Sequence, residues 1–187
     1  MTVSGFTFNA FSENTYLLHD ATKQCVVIDP GCYEKAEQQA LKAFIEAEGL
    51  QIVLLLNTHC HIDHVFGNQF ILDTYQVPFL IHEADLSVLR AVPTYAPSYG
   101  FPLYNPAEPT GFLTPGKPVT FGETTLEVRF APGHAPGHVV FYHAPTETVI
   151  GGDVLFQGSI GRTDLPGAIM IRSLKAFVPN SLPSPIR

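Results

Sequence analysis

The sequence is short of positive charge. Ten Lys and Arg stand against 17 Asp and Glu, a net charge of −7 over 187 residues with the histidines neutral. No basic cluster offsets this, so a nucleic acid is excluded as the main partner. Long hydrophobic runs are missing too: nothing approaches the ~18 apolar residues that span a bilayer, and no membrane segment is expected. The first eight residues have neither a charged n-region nor an apolar h-region, so no signal peptide is expected. Cysteine is sparse. Cys25, Cys32 and Cys60 are odd in number and irregular in spacing, which reads as reduced thiols in a cytoplasm rather than a disulfide framework. A small-molecule substrate is the partner these absences leave. Oligomeric state is not legible.

What is present is ample apolar material, 45% of the residues, enough for one globular domain with a core. Its histidine is concentrated. Residues 58–64 read Thr-His-Cys-His-Ile-Asp-His and follow the apolar, strand-like run 51–56. A strand that stops at a polar turn aims His59, His61, Asp63 and His64 at one place. Imidazole and carboxylate at this density suit zinc, one or two ions, with iron or manganese open because neither donor is exclusive to zinc. Cys60 lies between His59 and His61 and, by the alternation of an extended segment, faces away from them into packing. Further donors follow at His134 and His138 in Ala-Pro-Gly-His-Ala-Pro-Gly-His, and at Asp153 after a second apolar run. His19, His82 and His143 lack neighbouring donors and read as ordinary histidines.

The remaining pattern predicts a β-rich, then α/β, then β-rich chain. Short strands are expected at 6–8, 16–18 and 24–29, and a helix at 34–48 with its apolar stripe on Ala36, Ala40, Leu41, Phe44 and Ile45. Helices are also expected at 66–75 and 83–90, with strands at 51–56, 78–81, 119–121, 125–130, 139–143 and 148–150. Residues 91–118 are proline-rich, which argues against regular helix or interior strand there. The stretch also carries Tyr95, Tyr99, Phe101, Tyr104 and Phe112. Aromatics on such a loop point to a substrate-facing flap, with Tyr95 and Tyr99 as substrate contacts.

Taken in order, His59-x-His61-x-Asp63-His64, Pro-Gly-His134 and Gly-Asp153 resemble the metallo-β-lactamase-fold hydrolases, and most closely their short, glyoxalase II-like branch. The resemblance runs from about Gly5 to Gly167. It includes Glu13-Asn14-Thr15-Tyr16, Asp29-Pro30-Gly31 and the Gly-rich run 158–167. It implies an α/β (α+β) four-layered αββα sandwich with the metals at one edge of the sheets. By the same resemblance His59, His61 and His134 hold a first metal, Asp63 and His64 a second, and Asp153 bridges them. His138 supports the loop from behind. A metal-bound hydroxide then attacks a thioester or similar activated carbonyl ester, with Asp63 orienting it as the catalytic carboxylate. Arg162, in the Gly-rich loop, reads either as a substrate-carboxylate contact or as half of a loop-closing ion pair with Asp164. An iron-dependent sulfur dioxygenase of the same fold is the alternative activity, and a truncated, weakly active relative is a second.

The family pattern continues past Leu-Pro-Gly to a Gly-His that completes its second metal site, whereas this chain has no histidine after His143. The expectation is therefore a domain over 1–167 followed by an atypical tail, 168–187, that lacks the fold's C-terminal elements. A one-nucleotide frame slip near Gly167 accounts for it. Read one base earlier, the Met170 and Ile171 codons give Asp, within a Gly-Asn-x-Asp continuation of the family's kind.

Overall fold

A computed structural model describes residues 1–156 together with 159 and 160. Arg162, Asp164, most of the Gly-rich run and the whole tail from 168, with its proposed frame slip, lie outside the described residues.

Two sheets carry the fold. The first has six strands in sequence order: β1 (Thr2–Phe8), β2 (Glu13–His19), β3 (Gln24–Ile28), β4 (Gln51–Leu56), β5 (Phe79–His82) and β6 (Gly111–Leu113). Its first pairings are antiparallel, while β3–β4, β4–β5 and β5–β6 are parallel. Parallel neighbours need crossovers, and helices supply them. They are α1 (Lys35–Ala47), then α2 (Ile62–Val65) with α3 (Asn68–Tyr75), then α4 (Leu86–Tyr95). The second sheet is an antiparallel meander of β7 (Val119–Phe121), β8 (Thr124–Phe130), β9 (Val139–His143) and β10 (Thr148–Ile150). A short ribbon, β11 (Leu155–Phe156) with β12 (Ser159–Ile160), follows.

Side-chain alternation decides which core each residue joins. On the first sheet Leu17, Val27 and Leu55 face the helices and pack with Leu41, Ile45, Ile71, Leu89 and Val92. Their neighbours Leu18, Val26, Ile28, Leu54 and Leu56 face the other way, onto Phe121, Leu126, Val128 and Phe141 of the second sheet. Each such fully buried side chain contributes ~1.5–3 kcal/mol. The outward face of the second sheet carries polar groups instead. Arg129 lies 4.1 Å over the Tyr142 ring and 2.7 Å from Glu127. The described residues thus form helix, sheet and sheet, three layers of an αββα sandwich.

Three expectations need adjustment. The helix expected to stop at Arg90 begins later and runs to Tyr95, with Pro93 inside it. Leu89, Val92 and Ala96 recur at helical spacing and are all buried. That burial outweighs the loss of one amide bond to the Leu89 carbonyl, which falls close to the helix end. The segment 91–118 therefore does contain regular helix, and its one strand, β6, sits on the sheet edge where proline-rich chain is tolerated. Finally, Asp63 and His64, expected in a turn, lie on the helical turn α2.

Candidate metal centre

The side chains that could hold a metal come from the segments that follow β4, β8 and β10. In sheets with parallel strands, the carboxyl ends of the strands are where ligands collect. The loop after β4 brings His59 and His61, and α2 brings Asp63 and His64. The loop between β8 and β9 brings His134, and the turn after β10 brings Asp153. The ligand atoms of His59, His61 and His134 all lie within 4.8 Å of one another, as do those of Asp63, His64 and Asp153. His61 Nδ1 stands 2.8 Å from His134 Nε2. Asp153 joins the trios: its Oδ2 is 3.5 Å from His134 Nε2 and its Oδ1 3.3 Å from His64 Nε2, which is itself 3.5 Å from Asp63 Oδ2. The imidazoles of His59, His64 and His134 are buried, while Asp63 and Asp153 keep 20% and 25% of their side chains open at the mouth.

Partners behind the site orient these donors. His59 Nδ1 lies 3.1 Å from Thr58 Oγ1, whose hydroxyl donates to Asp29 Oδ2 at 2.6 Å. That chain leaves a lone pair on His59 Nε2, a buried nitrogen with no hydrogen-bond partner that faces the other histidines. A metal ion is what such an atom fits. Asp29 also accepts from the Thr58 amide and the Asn57 side chain, and lies 3.1 Å from His64 Nδ1. Asn57 donates to the His64 carbonyl and accepts from Asn68, fastening α2 and α3 to β4. His138 stacks on His59 at 4.6 Å and accepts the Asp153 amide at 3.2 Å, so it lies behind both trios. Gly152, at φ 47°, lets this turn approach: a Cβ there would collide with Thr58 Oγ1.

Burial and neighbouring imidazoles hold His59, His61 and His138 neutral. His59 is pushed well below its ordinary range by burial and by the surrounding histidines. His61 falls to about 3 through burial and His134, and His138 to about 3 through burial, His134 and His64. His64 goes the other way. Burial opposes its charge, but Asp29, Asp153 and Asp63 outweigh burial and raise it well above that range. Burial raises the Asp63 carboxyl, with His64 opposing. It also raises Glu13, beside His64, to about 9. Neutral imidazole is the form a metal needs; a charged His64 must first lose a proton.

The proline-rich segment lies over α2. Phe101 contacts Phe66 at 4.5 Å, Tyr33 at 5.0 Å and Phe11 at 5.6 Å, and Tyr95 packs on Tyr99 at 5.5 Å. The Tyr95 hydroxyl is raised to about 12 by burial and then by the Asp63 charge, which puts it within electrostatic reach of the site. Tyr99 is 61% exposed.

Asp29, Thr58, Asn57 and Asp85 had no assigned role in the sequence reading. Asp29 was visible only as part of a motif, although a carboxylate ending β3 beside the end of β4 was a usable signal. Asp85 is buried and accepts the amides of Cys60 at 2.8 Å and Gly137 at 2.5 Å. Burial raises it to about 6 against those two bonds.

The sequence and the fold place this arrangement in a known class. The Metallo-beta-lactamase superfamily model matches residues 9–181, and the chain belongs to that superfamily. The match runs past Gly167. Among relatives, the chain is 33% identical over 168 residues to the hydroxyacylglutathione hydrolase GloC of Haemophilus influenzae, covering 89% of this chain and 77% of that one. The crystal structure of TTHA1623 in a di-iron-bound form is 35% identical, with a TM-score of 0.81 over 92% of this chain and 84% of that one. The crystal structure of the BLEG-1 B3 metallo-beta-lactamase is 32% identical, with a TM-score of 0.82 over 94% and 83%. The fold and the His/Asp cluster together imply a metal-dependent enzyme. No helix among the described residues is long and apolar enough to cross a membrane.

Proposed function

We propose that this chain is a zinc-dependent hydrolase that cleaves a thioester or related activated carbonyl ester, in the manner of glyoxalase II-like enzymes. The observation that carries the reading is the Asp153 carboxylate, which belongs to the mixed trio with Asp63 and His64 and also lies 3.5 Å from His134 of the all-imidazole trio. The likeness to a hydroxyacylglutathione hydrolase supports a thioester. In this reading His59, His61 and His134 would hold the first ion and Asp63 and His64 the second, with Asp153 shared between them. Three imidazoles suit zinc. Iron is the other candidate, because these donors accept both and a 35% identical neighbour was crystallised with two irons.

When bound, such ions supply Lewis acidity toward the carbonyl oxygen and lower the pKa of a coordinated water to about 7 in well-studied zinc enzymes. The side chains do the rest. Asp63 offers a carboxylate oxygen at the mouth that accepts a hydrogen bond from the attacking water and aims it at the carbonyl carbon. Thr58 and Asp29 keep His59 Nε2 turned inward, and His138 holds Asp153 by its backbone. Tyr95 stays protonated at neutral pH and donates to the substrate from the flap, with Tyr99 beside it. The compartment in this reading is a reducing cytoplasm, in keeping with three free, buried cysteines.

The test is thiol release from acyl thioesters by zinc-loaded protein, with oxygen uptake on a persulfide by iron-loaded protein as the counter-assay. Zinc-dependent thiol release that is lost on chelation and in His59→Ala is expected. Oxygen uptake with one iron per chain and no thiol release would overturn the reading in favour of the dioxygenase.

A further inference from the structure

His59 and His61 reach the site from one loop and His134 from another, 73 residues further along the chain. Metal affinity depends on holding those two loops at one separation, since the trio must present three nitrogens to a single ion. One side chain touches both loops. The carboxylate of Asp85, which is 0% exposed, takes the Cys60 amide on Oδ2 and the Gly137 amide on Oδ1. Cys60 lies between the two ligating histidines of its loop, and Gly137 lies three residues after His134.

Two further observations separate this from ordinary helix capping. Asp85 occupies the N-cap position of α4, where an aspartate ordinarily accepts from the helix's own first amides. Here the side chain makes no cap bond, and both oxygens go to the ligand loops instead. Position 137 is also shaped around it. A Cβ at Gly137 would lie 2.6 Å from the Asp85 amide nitrogen and 2.8 Å from Oδ1, so the loop approaches closely only because it carries glycine there.

We propose that Asp85 is a positioning residue for the metal centre: its carboxylate staples the His59–His61 loop to the His134 loop and sets the imidazole trio before any ion binds. The inference rests on the metal-dependent reading above, but its consequences are read from metal binding and backbone protection rather than hydrolysis. A thioesterase that failed to turn over would sink that reading and leave this one standing. Asp85→Asn keeps the volume and turns one acceptor into a donor facing an amide. Gly137→Ala pushes the same contact apart from the other side.

The experiment is titration of Co²⁺ into the purified full chain, following its visible absorption, with apo-protein melts for each variant. Both substitutions should weaken the first ion ten- to a hundredfold, the usual range for groups that orient metal ligands, and shift the cobalt bands. The second ion should be affected less. Unchanged first-ion affinity and spectrum in a folded Asp85→Asn protein would overturn the proposal. Should either variant fail to fold, amide hydrogen exchange on the unsubstituted protein decides. Cys60 and Gly137 amides already protected without metal support the staple; protection that appears only on metal addition contradicts it.

Discussion

His64 differs from its neighbours in one respect with a measurable consequence. Around it Asp29, Asp63 and Asp153 outweigh burial and keep its imidazole charged, while burial keeps His59 and His61 neutral. Near neutral pH the first ion therefore displaces no proton from His59 or His61, whereas the second must displace one from His64. Lowering the pH by one unit should weaken the second ion about tenfold through this His64 proton. Calorimetry in two buffers of different ionisation enthalpy counts the protons; equal release at both steps would refute this. Asp63→Ala should likewise abolish most hydrolysis while the first ion stays bound, as metal analysis of the purified variant would show. Gly152→Ala is expected to be costly for another reason. Its φ of 47° and the collision of a Cβ with Thr58 Oγ1 give an alanine no room, so a loss of about 1–3 kcal/mol in the thermal melt is expected, with weaker metal binding through a displaced Asp153.

At the scale of elements, what was legible in the sequence was what repeats. The β4 run with its terminal His/Asp cluster, the α1 positions Leu41, Phe44 and Ile45, and the strands of the second sheet were all visible as patterns, whereas Ala36 and Ala40, expected in the α1 stripe, are exposed because the helix buries only a narrow face. The course of α4 was hidden because Pro93 argued locally for a break, whereas Leu89, Val92 and Ala96 pack into the core and carry the helix through it. Asp85 was hidden because a helix expected over 83–90 makes it an ordinary first-turn carboxylate; only the packed fold brings Cys60 and Gly137 to it from 25 and 52 residues away. Strand order was equally beyond the sequence, since the parallel neighbours β3 to β6 are set by crossovers rather than by local pairing. The flap can be tested as an element. Phe101 is its anchor on Tyr33 and Phe66, so Phe101→Ala should cost about 1–3 kcal/mol of stability. It should also raise KM for a thioester while metal content stays unchanged. A fall in metal content with KM unaltered would argue that the segment is structural only.

For the molecule as a whole, two apolar layers serve one end. Helices close one face of the six-stranded sheet, the second sheet closes the other, and the loops at the strand ends, with the short helix α2, carry the donors of the two trios. That division leaves the cores free to supply stability and the loops free to supply polar groups, which is why a dense cluster of buried imidazole and carboxylate is tolerated. The central claim is that this cluster is a two-ion hydrolytic site sharing Asp153. Its most direct test is stepwise titration of Zn²⁺ into metal-free protein while thiol release from an acyl thioester is followed. A tight first ion lost in His59→Ala and His134→Ala, a weaker and pH-sensitive second ion, and hydrolysis that rises with metal are expected. Zinc binding that survives both substitutions, or a loaded protein that releases no thiol, would contradict it.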